Sequence, residues 1–568
     1  MRGPLGLIGA VSIAMALLAP WHSSSAGDAD VAKERESLER HAKEPFEQRA
    51  REAALRALGK LGGQEAAMAV ATVMDDPFVH LRDHAVSAFL AMCSGAKAAE
   101  SIGWLCDTAL VDPKSASLRR GAAITLGMAG GPVGVKALER VVRTERDPIV
   151  LVAVIEGLER SDDPAVPAAL APLLASKDGN VVGATARALG RARTRADAHA
   201  DLIEPVLASG LALARTGAID GLARCAPERL ATRFDSVLAD RAIEPRIAGC
   251  DALGVISTAA QGTRALGLLE KFLADASWRV RAAAYEAAIS IWMKEAIPLL
   301  IARCRSETGR LRGDALHALR TLTGEDTGTD ADVWDAWWKT RGPTFDLGPR
   351  PAPDAFGRLR RPVPAAVPSP SDTKTAAFFH LPILSRRLVF LFDFSGSMRD
   401  PVEGTGTGSG TKADLARVEF GRAAAALTKE QFFDLVIYRY PSVFPPVPRL
   451  TRALGTLSPG GDASAKKALA WLSKEEPKGW GAFYDALTAI TVEDVDTIIL
   501  LSDGVPSRGT FDREFRLLPE FVKANRFRRV VVDTVLVGKK GSDRKFMADL
   551  ADATGGRFED ATENPAGK

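Results

Sequence analysis

The stretch that decides the fold of the carboxyl-terminal half is Leu388-Val389-Phe390-Leu391-Phe392, followed at once by Asp393-Phe394-Ser395-Gly396-Ser397. Five consecutive apolar residues are typical of a strand that is buried on both faces. The Asp-x-Ser-x-Ser pattern then places one carboxylate and two hydroxyls in a tight loop at the end of that strand. Hard oxygen donors of this kind are suited to a small divalent cation. The stretch therefore predicts a strand that ends in a cation site.

A second apolar run, Thr497-Ile498-Ile499-Leu500-Leu501, ends in Ser502-Asp503-Gly504. Open α/β sheets bind ligands at the carboxyl ends of their strands, so this second carboxylate has the right placement to join the first. We therefore expect Asp393, Ser395, Ser397 and Asp503 to form one metal site.

Residues from about 386 to 560 resemble a von Willebrand factor type A (VWA) domain, and the four residues above match its metal-ion-dependent adhesion site (MIDAS). The resemblance implies a Rossmann-like α/β fold, with a mostly parallel central sheet and helices on both faces. It also implies a divalent cation (Mg²⁺, Mn²⁺ or Ca²⁺) with one open coordination position. An acidic side chain of a protein partner would complete the coordination shell there.

The alternation of patterns along this half agrees with that expectation. Lys412 to Leu427 has helical spacing, Phe433 to Tyr438 reads as a strand, and Arg529 to Val537 reads as a central strand. Continuous β-branched runs between helices predict a parallel sheet that is covered on both faces.

One position departs from the family pattern. In the family, a threonine in the loop before the Tyr-Asp-Ala-Leu helix supplies a further oxygen to the cation, and the aligned residue here is Gly481. A water molecule can take the place of that ligand, because Mg²⁺ normally keeps several waters. The resemblance therefore leaves open whether the site binds a cation tightly, weakly or not at all.

The amino-terminal half repeats a short pattern. Ala54-Leu55-Arg56-Ala57-Leu58-Gly59 is echoed by Ala123-Ile124-Thr125-Leu126-Gly127, by Ala186-Arg187-Ala188-Leu189-Gly190 and by Asp251-Ala252-Leu253-Gly254. With the landmarks between them the period is ~31 to 36 residues, which is typical of a helical solenoid. Asp/Pro turns followed by arginines make the repeats resemble HEAT repeats. The resemblance implies an all-α, HEAT-like solenoid over residues 40–342, and such arrays usually bind proteins along one helical face.

Two features of the solenoid invite alternative interpretations. His80 and His84 have the i, i+4 spacing of two metal ligands, but the sequence suggests no nearby carboxylate or third ligand, so we expect them on an exposed helical face. Trp334, Trp337 and Trp338 could form a ligand cage, but a last helix that caps the open end of the stack is the favoured interpretation.

The chain divides into four segments. Residues 1–26 have a basic start, an apolar core and a small-residue cleavage site, which predicts a signal peptide, with an uncleaved anchor as the alternative. Residues 40–342 form the solenoid, residues 343–378 a Pro-rich linker and residues 379–562 the VWA domain. We therefore expect a secreted, periplasmic or cell-envelope protein with no stable membrane insertion after cleavage.

Net charge and cysteine content limit the kinds of partner and of cross-link that we expect. The net charge of +3 over 568 residues implies no general polyanion-binding surface. Nucleic acid is not expected as a partner, because the solenoid lacks interleaved basic and aromatic residues and because the chain is predicted to be exported. The five cysteines are odd in number and irregularly spaced, which favours small buried apolar residues over a disulfide framework.

Catalytic interpretations have little support. Ser464-Ala465-Lys466-Lys467 and Ser371-Asp372-Thr373-Lys374 fit S-x-x-K, but the companion motifs are absent. No histidine base accompanies Ser395 or Ser397, because His380 is the last histidine of the chain. The sequence therefore predicts a non-enzymatic binding protein of the adhesion type. A metal-independent structural scaffold and an enzyme that uses a solenoid pocket are the alternatives.

Overall fold

The computed structural model describes residues 28–42, 48–191, 196–258, 262–354, 357–359, 376–402, 410–440, 449–504, 506–538 and 542–561. The predicted signal peptide, half of the predicted linker and residues 403–409 of the loop beside the predicted metal site lie outside these ranges.

The amino-terminal module is a stack of helices. The helices are α1 Asp28–Arg40, α2 Gln48–Leu61, α3 Gly63–Ala71, α4 Val79–Met92, α5 Ala98–Asp107, α6 Ala116–Ala129, α7 Pro132–Val141, α8 Pro148–Leu158, α9 Val166–Leu170, α10 Gly179–Arg191, α11 Ala196–Ile203, α12 Ala212–Cys225, α13 Pro227–Thr232, α14 Phe234–Leu238, α15 Ile243–Thr258, α16 Gly262–Leu273, α17 Trp278–Ile291, α18 Ala296–Ser306, α19 Gly309–Thr323 and α20 Ala331–Arg341. One row of helices packs side by side along the stack, and we call it the inner row; it consists of α2, α4, α6, α8, α10, α12, α15, α17 and α19. Short 3-10 helices lie at Ala109–Val111, Ala171–Ala175, Glu204–Ala208 and Gly342–Thr344.

A recurring arginine explains the Asp/Arg pattern of the repeats. Arg215, at the start of α12, donates from Nη1 to the carbonyl of Ser209 at 2.7 Å. The same guanidinium donates to both carboxylate oxygens of Asp240 in the next repeat, at 2.6 and 2.8 Å. One side chain thus closes its own turn and links two repeats. Equivalent inter-repeat pairs are Arg119–Glu145, Arg246–Asp275 and Arg281–Glu307.

Small residues allow the inner row to pack closely. A Cβ built on Gly127 of α6 would lie 2.4 Å from the Cα of Gly157 in α8, which is far inside van der Waals contact. Any larger residue at Gly127 would force these two helices apart.

The last helix closes the stack. Trp334 of α20 is fully buried, and its indole N–H donates to the carbonyl of Gly328 at 3.0 Å. Trp337 and Trp338 are stacked on each other, and both pack edge-on against Phe345. The three tryptophans pack against one another and against Phe345, as expected for a helix that caps the end of the stack.

The carboxyl-terminal module contains a mixed, mostly parallel sheet and a short separate hairpin. The hairpin is formed by β1 Ala377–Phe378 and β2 Leu381–Pro382, and the strands of the sheet are β3 Arg387–Asp393, β4 Phe432–Arg439, β5 Arg449–Arg452, β6 Ser458–Pro459, β7 Thr497–Ser502, β8 Val531–Leu536 and β9 Phe558–Asp560. The strand order of the sheet is β5-β4-β3-β7-β8-β9, with β6 pairing on β4. The pairs β3–β4, β3–β7, β7–β8 and β8–β9 are parallel, and only β5 and β6 run antiparallel to β4 among the described strands of this sheet.

Helices cover both faces of this sheet and bury two separate cores. Phe390, Phe392 and Phe420 lie in one core, whereas Val389 and Leu391 lie in the other. The alternation along β3 thus sends successive side chains to opposite faces. The helices are α21 Lys412–Ala426, α22 Asp462–Leu472, α23 Phe483–Thr491, α24 Glu514–Asn525 and α25 Ser542–Thr554, with a 3-10 turn at Gly396–Arg399. Among the described residues, no helix has both the length and the apolar character needed to cross a membrane.

Candidate functional site

The four residues predicted to bind metal are brought together at one edge of the sheet. Asp393 is the last residue of β3, and Asp503 directly follows β7. The two strands are parallel neighbours, with Phe392 opposite Leu501, so both chains leave the sheet at the same edge. The loop after β3 then turns Ser395 and Ser397 towards Asp503.

A continuous series of contacts connects the four side chains. The backbone N–H of Ser395 donates to Oδ1 of Asp393 at 2.8 Å. The hydroxyls of Ser395 and Ser397 lie 3.1 Å apart, and Ser397 Oγ donates to Oδ1 of Asp503 at 3.0 Å. Hydrogen bonds thus link Asp393, Ser395, Ser397 and Asp503 in this order at the mouth of the sheet, the first through the backbone of Ser395 and the others through side-chain oxygens.

Asp393 is the buried end of this series. Only 3% of the residue is exposed, and its Oδ2 accepts a hydrogen bond from Ser502 Oγ at 2.8 Å. Burial and then the negative charge of Asp503 raise the pKa of Asp393 to about 6. A carboxylate in this position gains from a nearby positive charge, since that charge offsets both effects. Ser502, which the sequence analysis did not assign, supports this carboxylate.

Gly481, which the sequence analysis aligned with the family threonine, lies beside Asp393. A Cβ at Gly481 would be 3.2 Å from Oδ2 of Asp393. The loop that carries it is held against the Ser395 loop, because the N–H of Gly396 donates to the carbonyl of Gly479 at 3.0 Å. A hydroxyl at position 481 would therefore border the same cluster of oxygens.

Lys412 is a neighbour that the sequence analysis missed. Its ammonium donates to Oδ2 of Asp503 at 2.7 Å and lies 3.8 Å from Oδ2 of Asp400. The side chain is only 9% exposed. A buried lysine in the first turn of α21 opposes the helix dipole, so its position makes sense through the carboxylate it neutralises. The sequence contained one indication of this role, because a lysine in the first turn of a helix that directly follows the site loop is unfavourable unless an acidic group lies nearby.

The donor set fits a small divalent cation. Asp393 and Asp503 supply two negative charges, Ser395 and Ser397 supply neutral oxygens, and Gly481 leaves room beside Asp393. Lys412 is the competing element, because a cation would have to share the charge of Asp503 with it.

The segment that follows Asp503 leads directly to the solenoid. The N–H groups of Ser507 and Arg508 donate to the carbonyl of Gly481, at 3.1 and 3.0 Å. The guanidinium of Arg508 lies over the ring of Trp480 and donates to Oε1 of Glu52 in α2 at 2.9 Å. The loops around the oxygen cluster are therefore connected to the inner row through a buried ion pair.

The contact between the modules is charge-complementary along most of its length. Basic residues in and around α24 face acidic residues that come from six helices of the inner row, α2, α4, α8, α12, α15 and α17. The pairs are Arg508–Glu52, Arg516–Asp83, Lys523–Glu156, Arg526–Asp220, Arg526–Asp251, Arg529–Asp251 and Arg529–Glu286. The inner row is therefore occupied by the chain's own carboxyl-terminal module.

The expected exposure of His80 and His84 is wrong. His80 is fully buried and His84 is 5% exposed. Both rings lie under the carboxyl-terminal module, where Asp512 accepts from His84 Nε2 at 3.1 Å. The carboxylates that the sequence analysis did not find come from α2 and from a loop far along the chain, so local spacing could not reveal them.

Comparison with known proteins supports the amino-terminal assignment. Residues 232–320 match the family model described as HEAT repeats. Among curated proteins, no sequence matches this chain.

Several solved structures match parts of this chain at low similarity. An engineered protein is 18% identical, with 55% of this chain and 94% of that chain covered, at a TM-score of 0.31. The complex of CpcE and CpcF of phycocyanin lyase from Nostoc sp. PCC7120 is 18% identical over 41% of this chain and 94% of that chain, at 0.28. Kap121p bound to RanGTP is 13% identical over 51% of this chain and 33% of that chain, at 0.29. At TM-scores this low, these likenesses carry no argument about function.

Proposed function

We propose that this chain is an exported, non-enzymatic binding protein whose carboxyl-terminal module is a VWA domain. In this proposal Asp393, Ser395, Ser397 and Asp503 hold a divalent cation, and an acidic side chain of a protein partner completes its coordination. The cation would supply a positive charge for that carboxylate. The chain itself positions the oxygens and opens the site at the edge of the sheet.

The observation that supports the proposal best is the series of contacts from Asp393 through Ser395 and Ser397 to Asp503. These groups come from two loops that are far apart in sequence, and a structural role for all four would not require their oxygens to converge. The sheet edge at which they meet is where open α/β sheets usually bind ligands.

The solenoid has a more specific role in this proposal than a general scaffold. HEAT-like solenoids bind proteins along a helical face, and here the inner row contacts the chain's own VWA-like module. We propose that the solenoid orients that module and supports the loop after Asp503. Its remaining surface is available for a second partner.

A metal-independent scaffold is the second candidate, and Lys412 is the observation that favours it. A buried ammonium at 2.7 Å from Asp503 already neutralises one of the two carboxylates. If Lys412 alone satisfied the site, the domain would bind its partner without a cation.

Calorimetric titration of Mg²⁺ into the full chain distinguishes the two candidates. We expect saturable binding of one ion that is lost in Asp393→Ala and retained in Asp462→Ala, an exposed aspartate at the start of α22. Absence of binding at millimolar metal would reject the cation-dependent function in favour of the scaffold.

The partner requires a second experiment. Immobilised full chain is exposed to a cell-envelope extract with and without EDTA, and captured proteins are compared with those captured by Asp393→Ala. A partner that binds equally well in all three conditions would contradict cation-mediated capture.

A further inference from the structure

A second group of metal-ligating side chains lies between the two modules, away from the oxygen cluster of the sheet. It comprises Glu52 of α2, His84 of α4 and Asp512 of the loop that precedes α24. One ligand atom from each lies within 4.8 Å of the others. Nε2 of His84 is 3.1 Å from each carboxylate oxygen of Asp512.

His80 provides an independent observation at the same place. Its side chain is fully buried, one turn before His84, and neither ring nitrogen has a hydrogen-bond partner among the described residues. Its Nε2 lies 3.4 Å from Oε1 of Glu52, so the ring is directed at this cluster. A buried imidazole left without hydrogen bonds needs an explanation, since buried polar groups are normally satisfied.

We propose that Glu52, His84 and Asp512 bind a divalent first-row transition metal of the Zn²⁺ class at the contact between the modules, with His80 beside Glu52. An imidazole nitrogen and two carboxylates favour such a metal over Mg²⁺ or Ca²⁺, which prefer all-oxygen sites. Because two ligands come from the solenoid and one from the carboxyl-terminal module, the metal would link the modules.

Two arginines form hydrogen bonds with the proposed ligands, and a metal would have to replace these bonds. Arg508 donates to Oε1 of Glu52 at 2.9 Å, and Arg513 donates to Nδ1 of His84 at 3.0 Å. Since arginine has only donors, Nδ1 accepts here and the imidazole proton is on Nε2, where it faces Asp512. A metal on Nε2 moves that proton to Nδ1, so Arg513 must release the ring.

This requirement gives a variant that should gain affinity. In Arg513→Gln the side-chain amide can accept a hydrogen bond from Nδ1–H, which is the usual support for a metal-bound histidine. We expect Arg513→Gln to bind zinc about tenfold more tightly than the native chain, because second-shell partners alter metal affinity by roughly 10–100-fold.

The experiment uses the purified full chain, dialysed against Zn²⁺ and then against metal-free buffer, with bound metal measured by mass spectrometry and affinity by competition with a chromophoric chelator. We expect one zinc per chain, retained in Asp393→Ala. We expect affinity to fall by at least about 100-fold in His84→Gln and in Asp512→Asn. Zinc should also raise the melting temperature of the native chain and leave that of Asp512→Asn unchanged.

The matched control is His380→Gln, which removes an exposed histidine paired with Glu559 at 2.8 Å on the carboxyl-terminal module. It should leave zinc binding unchanged. Circular dichroism of each variant identifies any that fails to fold, and Arg513→Gln keeps the test informative in that case. Equal zinc content in the native chain, His84→Gln and Asp512→Asn would overturn the proposal, as would a failure of Arg513→Gln to tighten binding.

Discussion

Arg526 and Asp220, which are 306 residues apart in the sequence, form a two-pronged ion pair across the contact between the modules, with both N–O distances at 2.7 Å. The same guanidinium reaches Asp251 of the next inner-row helix at 2.9 Å. The two acids hold the pKa of Arg526 above its ordinary value, although burial acts in the opposite direction. One arginine thus bridges two repeats and fixes the end of α24 on the solenoid.

Arg526→Ala is expected to weaken docking by about 2–4 kcal/mol, because removing one partner of a largely buried pair leaves the other charges uncompensated. Hydrogen exchange measures this change. We expect faster exchange in α24 and in the inner-row helices that face it, with little change in the central strands β3 and β7.

The control for this prediction is Arg140→Ala, which removes an exposed solenoid pair with Asp107. Exposed pairs are worth about 0–1 kcal/mol, so exchange should remain as in the native chain. Unchanged exchange of α24 in Arg526→Ala would contradict the prediction and would mean that the remaining contacts between the modules are sufficient to hold α24 in place.

Much of the architecture could be predicted because it follows from local pattern. The apolar run that ends at Asp393 predicted the central strand, and the Ala/Leu periodicity around Ala186 predicted the helices of the solenoid. The antiparallel strand Arg449–Arg452 was not predicted, since its alternation is polar and it is held by pairing with β4 alone.

The contact between the modules could not be read from the sequence. Asp220, Asp251 and Glu286 each look like an ordinary solvent-exposed acid of a helical repeat, and only the three-dimensional structure aligns them opposite Arg526 and Arg529. For the same reason the sequence placed His80 on an exposed face. Long-range charge pairing has no period, so a pattern of spacing does not reveal it.

Asp314 of α19 gives a prediction about pH. Burial, and to a lesser extent the charges of Glu286 and Asp496, raise its pKa to about 6, although Arg310 acts to lower it. The folded chain therefore holds this proton more tightly than the unfolded chain does. Stability from this group is fully present below the ordinary pKa of 3.8, and it is lost as the pH rises to about 6.

Asp314→Asn cannot ionise, so its free energy of unfolding should not fall as the pH rises. The substitution should therefore stabilise the protein at pH 7 by up to about 3 kcal/mol, since the pKa is raised from 3.8 to about 6 and one pKa unit corresponds to about 1.4 kcal/mol. At pH 3.5 the variant and the native chain should melt alike. Thermal unfolding at both pH values measures the difference. Asp335→Asn, at a partly exposed aspartate paired with Lys339, should bring no gain at pH 7. Equal melting of Asp314→Asn and the native chain at pH 7 would contradict the prediction.

Lys412→Met tests what neutralises Asp503. The substitution keeps the apolar stem and removes an ammonium that lies 2.7 Å from Oδ2. If a divalent cation binds beside Asp503, loss of the competing charge should tighten Mn²⁺ binding by roughly tenfold or more, since a neighbouring unit charge is worth at least about 1–3 kcal/mol at intermediate dielectric. Titration calorimetry on the full chain measures this.

The exposed Lys466, paired with Asp462 at 3.7 Å, provides the control, and Lys466→Met should leave Mn²⁺ affinity unchanged. The metal-independent scaffold predicts the opposite for Lys412→Met: a destabilised protein that added Mn²⁺ does not rescue. The melting temperature of Lys412→Met with and without Mn²⁺ therefore separates the two candidate functions.

Gly481→Thr should restore the hydroxyl that the resemblance to VWA domains assigns to this position. A Cβ there would lie 3.2 Å from Oδ2 of Asp393 and 3.6 Å from the ring of Phe483, so the new side chain borders the oxygen cluster and needs only a small adjustment. We expect Mn²⁺ to bind roughly tenfold more tightly, which corresponds to about 1.4 kcal/mol for one added oxygen ligand.

Gly481→Val has the same shape without the hydroxyl, and it should leave the affinity for Mn²⁺ unchanged or weaker. Equal affinities for the threonine and valine variants would show that position 481 contributes no ligand, and the assignment of this loop would have to be withdrawn.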